Sequence, residues 1–332
     1  MKRPEQPEPF LCGCRFAAGA GVPYPRADAR DFTRLPIDTW GTAQIPATVR
    51  LEFVGDAEAV EIEYHTETED FGYRGESAGM TFALWRDRSL VGEERAVLGE
   101  GKVRLAAGSA LSEERAIVYL PEGMKPTVLS IEGMHGTIEP APRQRRWVAY
   151  GDSIAEGWVA SGPSGAWPAI AGRAHRLDVC NMGYAGSARG EVVSAEHVAA
   201  LDADVISITH GTNCWTRIPF SADMMRANTD AFLDVVRQGH PETPVVVASP
   251  VVRPDAESTP NRLGATLADL RAVMEDVAQA RIDAGDKRLT LVPGGDIIGA
   301  DLLADGIHPG DEGHRVLAEV IGGAVREALD RG

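Results

Sequence analysis

Cysteine is scarce in this chain, and the four that occur do not pair into a pattern. Cys12 and Cys14 stand too close for an easy mutual disulfide, Cys180 lies in an apolar, strand-like run, and Cys214 lies in a loop. That arrangement excludes a disulfide framework and matches no zinc-ligand spacing. It points to a reducing, cytoplasmic location. Positive charge is also in deficit: 33 Lys and Arg against 49 Asp and Glu leave a formal net charge of −16. Nucleic acid and anionic membrane surfaces, which call for clustered Lys and Arg, are therefore not expected as partners. No apolar run approaches the roughly 20 residues that cross a bilayer. The opening "MKRPEQPEPFLCGC" starts basic, but Pro and Glu interrupt any apolar h-region, so neither a signal peptide nor a lipoprotein box is read there. There is no P-loop, and neither G-x-G-x-x-G nor G-x-S-x-G stands between an apolar strand and a helical segment.

What is present divides into two halves with different periods. At 332 residues the chain has length for about two domains. Up to about residue 138 it reads as strands: 48–55, 59–66, 79–87, 115–121 and 127–133 alternate or run apolar, with turn residues between them. Short strands at close spacing predict an all-β jelly-roll sandwich over residues 1–141. The Pro- and Arg-rich "EPAPRQRR" (139–146) reads as the linker. From 142 to 332 short apolar strands ("WVAY", "LDVCN", "DVISITH", "PVVVASP", "RLTLVP") alternate with amphipathic segments such as 222–238, 262–284 and 312–329. Strand and helix in repetition predict a parallel sheet covered by helices on both faces. Ligands of such sheets bind beyond the carboxyl ends of the strands, so chemistry is sought just after each one.

Four groups stand at those positions. Gly151-Asp152-Ser153 follows the first strand, Gly183 in "NMGYAGSARG" the second, and Gly211-Thr212-Asn213 the third. "ADGIHPGDEGH" follows the last, with Asp305 and His308. A serine hydroxyl is a weak nucleophile and needs a base in hydrogen-bond reach, which His308 can supply. Asp305, three residues earlier, can hold the imidazole in one tautomer and stabilise the imidazolium. The backbone N–H groups of Ser153 and Gly183 and the amide of Asn213 are the candidate donors to an oxyanion.

Each of these has a plainer reading. Ser153 could cap a turn, and Asn213 could be a turn residue, but neither reading accounts for the whole downstream set. Asp152 is expected to be a loop residue rather than a second acid. Asp311-x-x-His314 repeats the Asp-x-x-His spacing. Apolar Val316, Leu317, Val320 and Ile321 follow it at helical spacing, so Asp311 is expected to cap that helix, with His314 in its first turn. His210 reads as a packing residue at a strand end. The remaining histidines show no paired metal ligands. Tyr184 and Trp215, with Trp158, fit either a sugar-stacking wall of a substrate pocket or the core.

The C-terminal half resembles the SGNH (GDSL-type) hydrolases through these four blocks, in the family's order: "GDS", the glycine after the second strand, "GTN" and "DGIHP". The usual leucine after the serine is Ile154 here. The resemblance implies a three-layer flavodoxin-like fold, Ser-His-Asp acyl chemistry, and neither metal nor organic cofactor. The order of halves resembles a subset in which a β-sandwich precedes the catalytic domain, among them carbohydrate esterases and natural-product acyltransferases. The expected function is an esterase working through an acyl-enzyme on a small or glycosylated acyl ester. The alternatives are acyl transfer to the hydroxyl of a natural product or sugar, or a non-catalytic carbohydrate-binding protein. The partners implied are a small acyl ester and, for transfer, a hydroxyl acceptor. The long loop 65–79, glycine-rich with Phe71, Tyr73 and Arg74, is expected either to rim the pocket or to face solvent.

Overall fold

The computed structural model describes residues 5–69, 78–86, 88–108 and 114–331. The centre of the 65–79 loop lies outside the described residues.

The N-terminal half contains strands β1 (Leu11–Cys12), β2 (Arg50–Val54), β3 (Ala59–Thr66), β4 (Thr81–Arg86) and β5 (Ser89–Arg95). It continues with β6 (Gly99–Ala106), β7 (Ala116–Tyr119), β8 (Pro126–Met134) and β9 (Glu139–Pro140). They form a six-stranded sheet, ordered β1-β2-β7-β4-β5 with β9 beside β2, and a three-stranded sheet ordered β6-β3-β8. Every pairing is antiparallel. Period-2 alternation turns one face of each strand inward, and Leu51, Phe53, Ile62, Phe82, Val103, Val118 and Ile131 meet in one apolar cluster fed by both sheets. Two features depart from the sequence-based expectation. The segment read as all strand contains a helix, α1 (Ile37–Ala43), and the expected linker is largely structured, since β9 pairs with β2 and the parallel sheet begins at Arg145.

The C-terminal half is built on β10 (Arg145–Gly151), β11 (Leu177–Gly183), β12 (Val205–Thr209), β13 (Val245–Ala248) and β14 (Leu289–Val292). These pair in parallel in the order β11-β10-β12-β13-β14, which is the flavodoxin-like doubly wound order. Alternate residues serve opposite faces. Val148, Tyr150, Ile206, Ile208, Val245 and Val247 pack beneath α4 (Val192–Ala200), α5 (Ala222–Gly239) and α6 (Leu267–Asp283). Trp147, Ala149, Val205, Val246 and Ala248 pack against α2 (Ser153–Glu156), α3 (Trp167–His175) and α7 (Asp311–Asp330). Each fully buried Val or Ile of this kind contributes about 1.5–3 kcal/mol.

The halves are not merely tethered. Asp178 on β11, almost fully buried, accepts from Arg50 Nη2 at 3.0 Å and from the Gly13 amide at 3.0 Å. Arg50 in turn reaches Glu52 at 2.6 Å and the Val179 carbonyl at 3.2 Å. Ile117 and Tyr119 of β7 pack on Ala166 and Ala169 at the start of α3. Ala27, Leu35 and Ala43, from the segment ahead of β2, belong to the core of the parallel sheet.

Candidate active site

β10 ends at Gly151, and the chain turns at once into α2. Asp152 is the N-cap: its carboxylate accepts from the Ile154 amide at 3.1 Å. It is buried, and burial raises its pKa against the opposing hydrogen bonds from Ile154 and Thr212 and the nearby His308. The expected structural role for Asp152 is therefore its observed one. Ser153 is the first residue of α2, where backbone N–H groups have no partner within the helix.

His308 comes from the loop between β14 and α7. His308 Nε2 stands 2.9 Å from Ser153 Oγ. On the other side, His308 Nδ1 is 2.7 Å from Asp305 Oδ2. Asp305 Oδ1 also accepts from the amides of Ile307 at 2.9 Å and His308 at 2.7 Å. Partial burial of Asp305 works to raise its pKa, but the hydrogen bonds from His308 and Ile307 prevail and hold the carboxyl below its ordinary value. An ionised Asp305 fixes the proton on Nδ1 and leaves Nε2 free to accept the serine proton. Serine, histidine and aspartate thus form one hydrogen-bonded line at the carboxyl edge of the sheet.

His314 has a different place. It is completely buried in the first turn of α7, with Nδ1 accepting from the Trp167 amide at 3.3 Å and Nε2 facing the Trp158 carbonyl at 3.4 Å. Asp311 departs from expectation: it makes no cap of α7, whose N-cap is Gly310, and accepts from the Ser161 amide at 2.8 Å. His210 is buried among Tyr150 and Phe232, and burial pushes its pKa down to about 4, against the opposing contact with Asn228.

Two of the expected site residues are corrected. The Gly183 N–H donates to Asn181 Oδ1 at 2.8 Å, so it is not free for an oxyanion. Glycine is required there for close approach, because a Cβ would stand 2.3 Å from the Glu156 nitrogen of α2. Three residues on, Gly186 is exposed, sits at φ +68°, and its N–H has no acceptor among the described residues. The second correction is Tyr184. It is fully buried, its hydroxyl donates to the Arg26 carbonyl at 2.6 Å, and it belongs to the core rather than to a substrate wall.

Asn213 and Trp215 follow the carboxyl end of β12. Asn213 is in a short 3-10 turn after β12, and its Nδ2 donates to the Ser187 carbonyl, which sets its amide beside the Gly186 turn. Trp215, in the same turn, is half-buried, with Nε1 donating to the Thr259 carbonyl at 2.8 Å and the Arg253 guanidinium 5.0 Å from its ring centroid. Trp158 lies with its ring 5.9 Å from that of His308. A cleft of about 720 Å³ opens between the halves, lined by Trp85, Arg88, Glu93, Ser161, Arg173 and Asp311 among others, and by none of the three residues of the line.

Against known families, the matching model is that of the GDSL-like lipase/acylhydrolase family, over residues 149–316. That span holds Ser153, Gly183, Gly186, Asn213, Asp305 and His308. A comparison with curated proteins finds no match. Among solved structures, the salicylyl-acyltransferase SsfX3 from a tetracycline biosynthetic pathway aligns with 99% of this chain and 97% of its own, at 23% identity and a TM-score of 0.83. A protein of Bacteroides ovatus ATCC 8483 described as a GDSL-like lipase aligns over 97% and 96%, at 21% identity and a TM-score of 0.80. A family two carbohydrate esterase from Clostridium thermocellum aligns over 85% and 92%, at 15% identity and a TM-score of 0.61. At these identities the likeness is one of fold, and it runs through both halves of the chain.

Proposed function

The chain belongs to the GDSL-like lipase/acylhydrolase family, and from that premise we propose that it is an esterase acting through an acyl-enzyme on Ser153. The observation that carries this reading is the Ser153–His308–Asp305 line, with contacts of 2.9 and 2.7 Å. His308 Nε2 takes the serine proton as Oγ attacks the ester carbonyl carbon, and the carbonyl oxygen becomes an oxyanion. We assign its donors as the Ser153 N–H, the Gly186 N–H and Asn213 Nδ2. The intermediate collapses by expelling the alcohol, which leaves with the proton from His308. The acyl group stays on Oγ until a second nucleophile, deprotonated by the same histidine, displaces it.

That nucleophile decides between hydrolysis and transfer. Water is the acceptor in the first reading, and the substrate is a small or glycosylated acyl ester. A sugar or natural-product hydroxyl is the acceptor in the second, which the full-length likeness to a salicylyl-acyltransferase favours. Both use the same acyl-enzyme and differ in how far water is kept out. A non-catalytic carbohydrate-binding protein would have no use for the hydrogen-bonded line. We read the N-terminal sheets as a jelly-roll sandwich closing near residue 141, Trp158 and Trp215 as walls of the substrate pocket, and the four free thiols as fitting a reducing cytoplasm.

The test is labelling with a fluorophosphonate probe, followed by turnover of acyl esters bearing sugar and aromatic leaving groups with and without added alcohols. Adduct on Ser153, absent in Ser153→Ala, together with release of free acid supports the esterase. Transfer to the alcohol in preference to water supports the acyltransferase. An unlabelled Ser153 with full turnover would overturn both.

A further inference from the structure

Arg26 precedes every element of the catalytic half, in a stretch where no motif marks it, yet its side chain ends behind the nucleophile. It is 1% exposed. A guanidinium has five N–H donors, and five acceptors surround this one. Nε faces the Ile45 carbonyl. Nη1 faces the carbonyls of Gly183 and of Asn181, the latter at 3.3 Å. Nη2 faces the Thr42 carbonyl at 2.7 Å and Glu156 Oε1 at 3.3 Å. Glu156, completely buried and three residues after Ser153 on α2, uses its other oxygen to accept from the Ala185 amide at 2.6 Å. Tyr184 closes the ring, its hydroxyl on the Arg26 carbonyl at 2.6 Å and its ring centroid 5.5 Å from the guanidinium carbon.

The residues so held are consecutive. Gly183, Tyr184 and Ala185 each contact Arg26 or Glu156, and the next residue is Gly186. Burying two charges has a desolvation cost of several kcal/mol per ion, and an apolar pair of similar volume would hold a helix against a turn at least as firmly. Stability alone does not explain the ion pair. What it supplies is a fixed separation between α2, which carries Ser153, and the turn that presents Gly186.

We propose that Arg26, acting through Glu156 and the Gly183 carbonyl, is a positioning residue that sets the 183–186 turn where it can donate to the oxyanion. This rests on the acyl-enzyme reading above. Lysine carries three donors on a compact ammonium and cannot face the same five acceptors.

The experiment measures p-nitrophenyl acetate turnover and the rate of fluorophosphonate labelling for the wild type, Ser153→Ala, Asn213→Ala, Arg26→Lys, Glu156→Gln and the double variant Arg26→Lys/Asn213→Ala, with melting curves for each. Arg26→Lys is expected to lower kcat about 10- to 100-fold with KM within about twofold, and to slow labelling in parallel. Its loss and that of Asn213→Ala should overlap, so that the double variant loses less than the product of the two. If Arg26→Lys does not fold, Glu156→Gln, which keeps the shape of the side chain, must show the same split. Turnover that depends on Ser153 but stays normal per folded molecule in these variants overturns the proposal alone, as do losses that multiply. Turnover retained by Ser153→Ala overturns the acyl-enzyme reading and the proposal with it.

Discussion

Asp305 holds His308 through both carboxylate oxygens, Oδ2 on the ring nitrogen at 2.7 Å and Oδ1 on the backbone amide at 2.7 Å. One side chain therefore fixes the tautomer of the imidazole and the path of the loop that carries it. Asp305→Asn should separate these tasks. The amide oxygen can still accept from the two backbone N–H groups, so the melting curve should stay near that of the wild type. The amide nitrogen cannot accept from Nδ1–H, and kcat should fall about 10⁴-fold. Steady-state kinetics beside a thermal melt checks both; a folded variant with ordinary kcat would remove Asp305 from the chemistry.

His308→Ala and His314→Ala should fail in different assays. The first loses the base and several orders of magnitude in kcat while remaining folded. The second leaves the buried Trp167 amide without its acceptor, which costs about 1–3 kcal/mol of stability. Urea midpoints and kcat per folded molecule distinguish them, and a reversed pattern would move the base role to His314.

Asn213→Ala should lower kcat on the order of 100-fold with little change in KM, because its amide meets charge that develops only in the transition state. The two glycines of the neighbouring turn should respond unequally to alanine. At Gly183 the new Cβ meets backbone nitrogen of α2 at 2.3 Å, so α2 must move and both stability and kcat should fall. At Gly186 the space is open and only the left-handed backbone resists, a cost of about 1–2 kcal/mol. Melting temperatures of the two variants test this; equal losses would contradict the close packing at Gly183.

His210 predicts a pH dependence of stability. Its folded pKa of about 4 lies below the ordinary 6.5 because burial disfavours the charged ring. Between those values the unfolded chain binds more protons than the native one, so stability rises with pH across the window and is lost as pH falls from 6.5 toward 4. The full span is on the order of 3 kcal/mol. Urea midpoints of wild type and His210→Leu at several pH values should show a shallower slope in the variant over that window, and parallel slopes would assign the dependence elsewhere.

The parallel sheet was readable because its strands are buried on both faces and flanked by turn residues, and the meeting of Ser153, Asp305 and His308 because each lies beyond the carboxyl end of a strand of that sheet. Gly183 and Gly186 could not be told apart by type. The bond to Asn181, the packing of Gly183 on α2 and the exposed, left-handed backbone of Gly186 separate them. Tyr184 reads like any aromatic at a strand end, and its partner, the Arg26 carbonyl, is 158 positions away in sequence. β5 and β6 were missed because both are largely solvent-facing, with Glu, Arg and Lys interleaved. α1 is two turns long with a glycine inside it, too short to show a period.

The Arg50–Asp178 contact bears on how this protein can be taken apart. Asp178 belongs to the parallel sheet, yet its buried carboxylate is matched by the guanidinium groups of Arg15 and Arg50 and an amide from the other half. A fragment starting at residue 142 would carry that carboxylate with no counter-charge, along with the bare apolar start of α3 where Tyr119 had been. Grafting the catalytic half onto a foreign β-domain would meet the same mismatch unless Gly13, Arg15, Arg50 and Glu52 travelled with it. The exchangeable module is therefore larger than the part that bears the serine, and chimaeras of this architecture should be spliced outside both halves rather than between them.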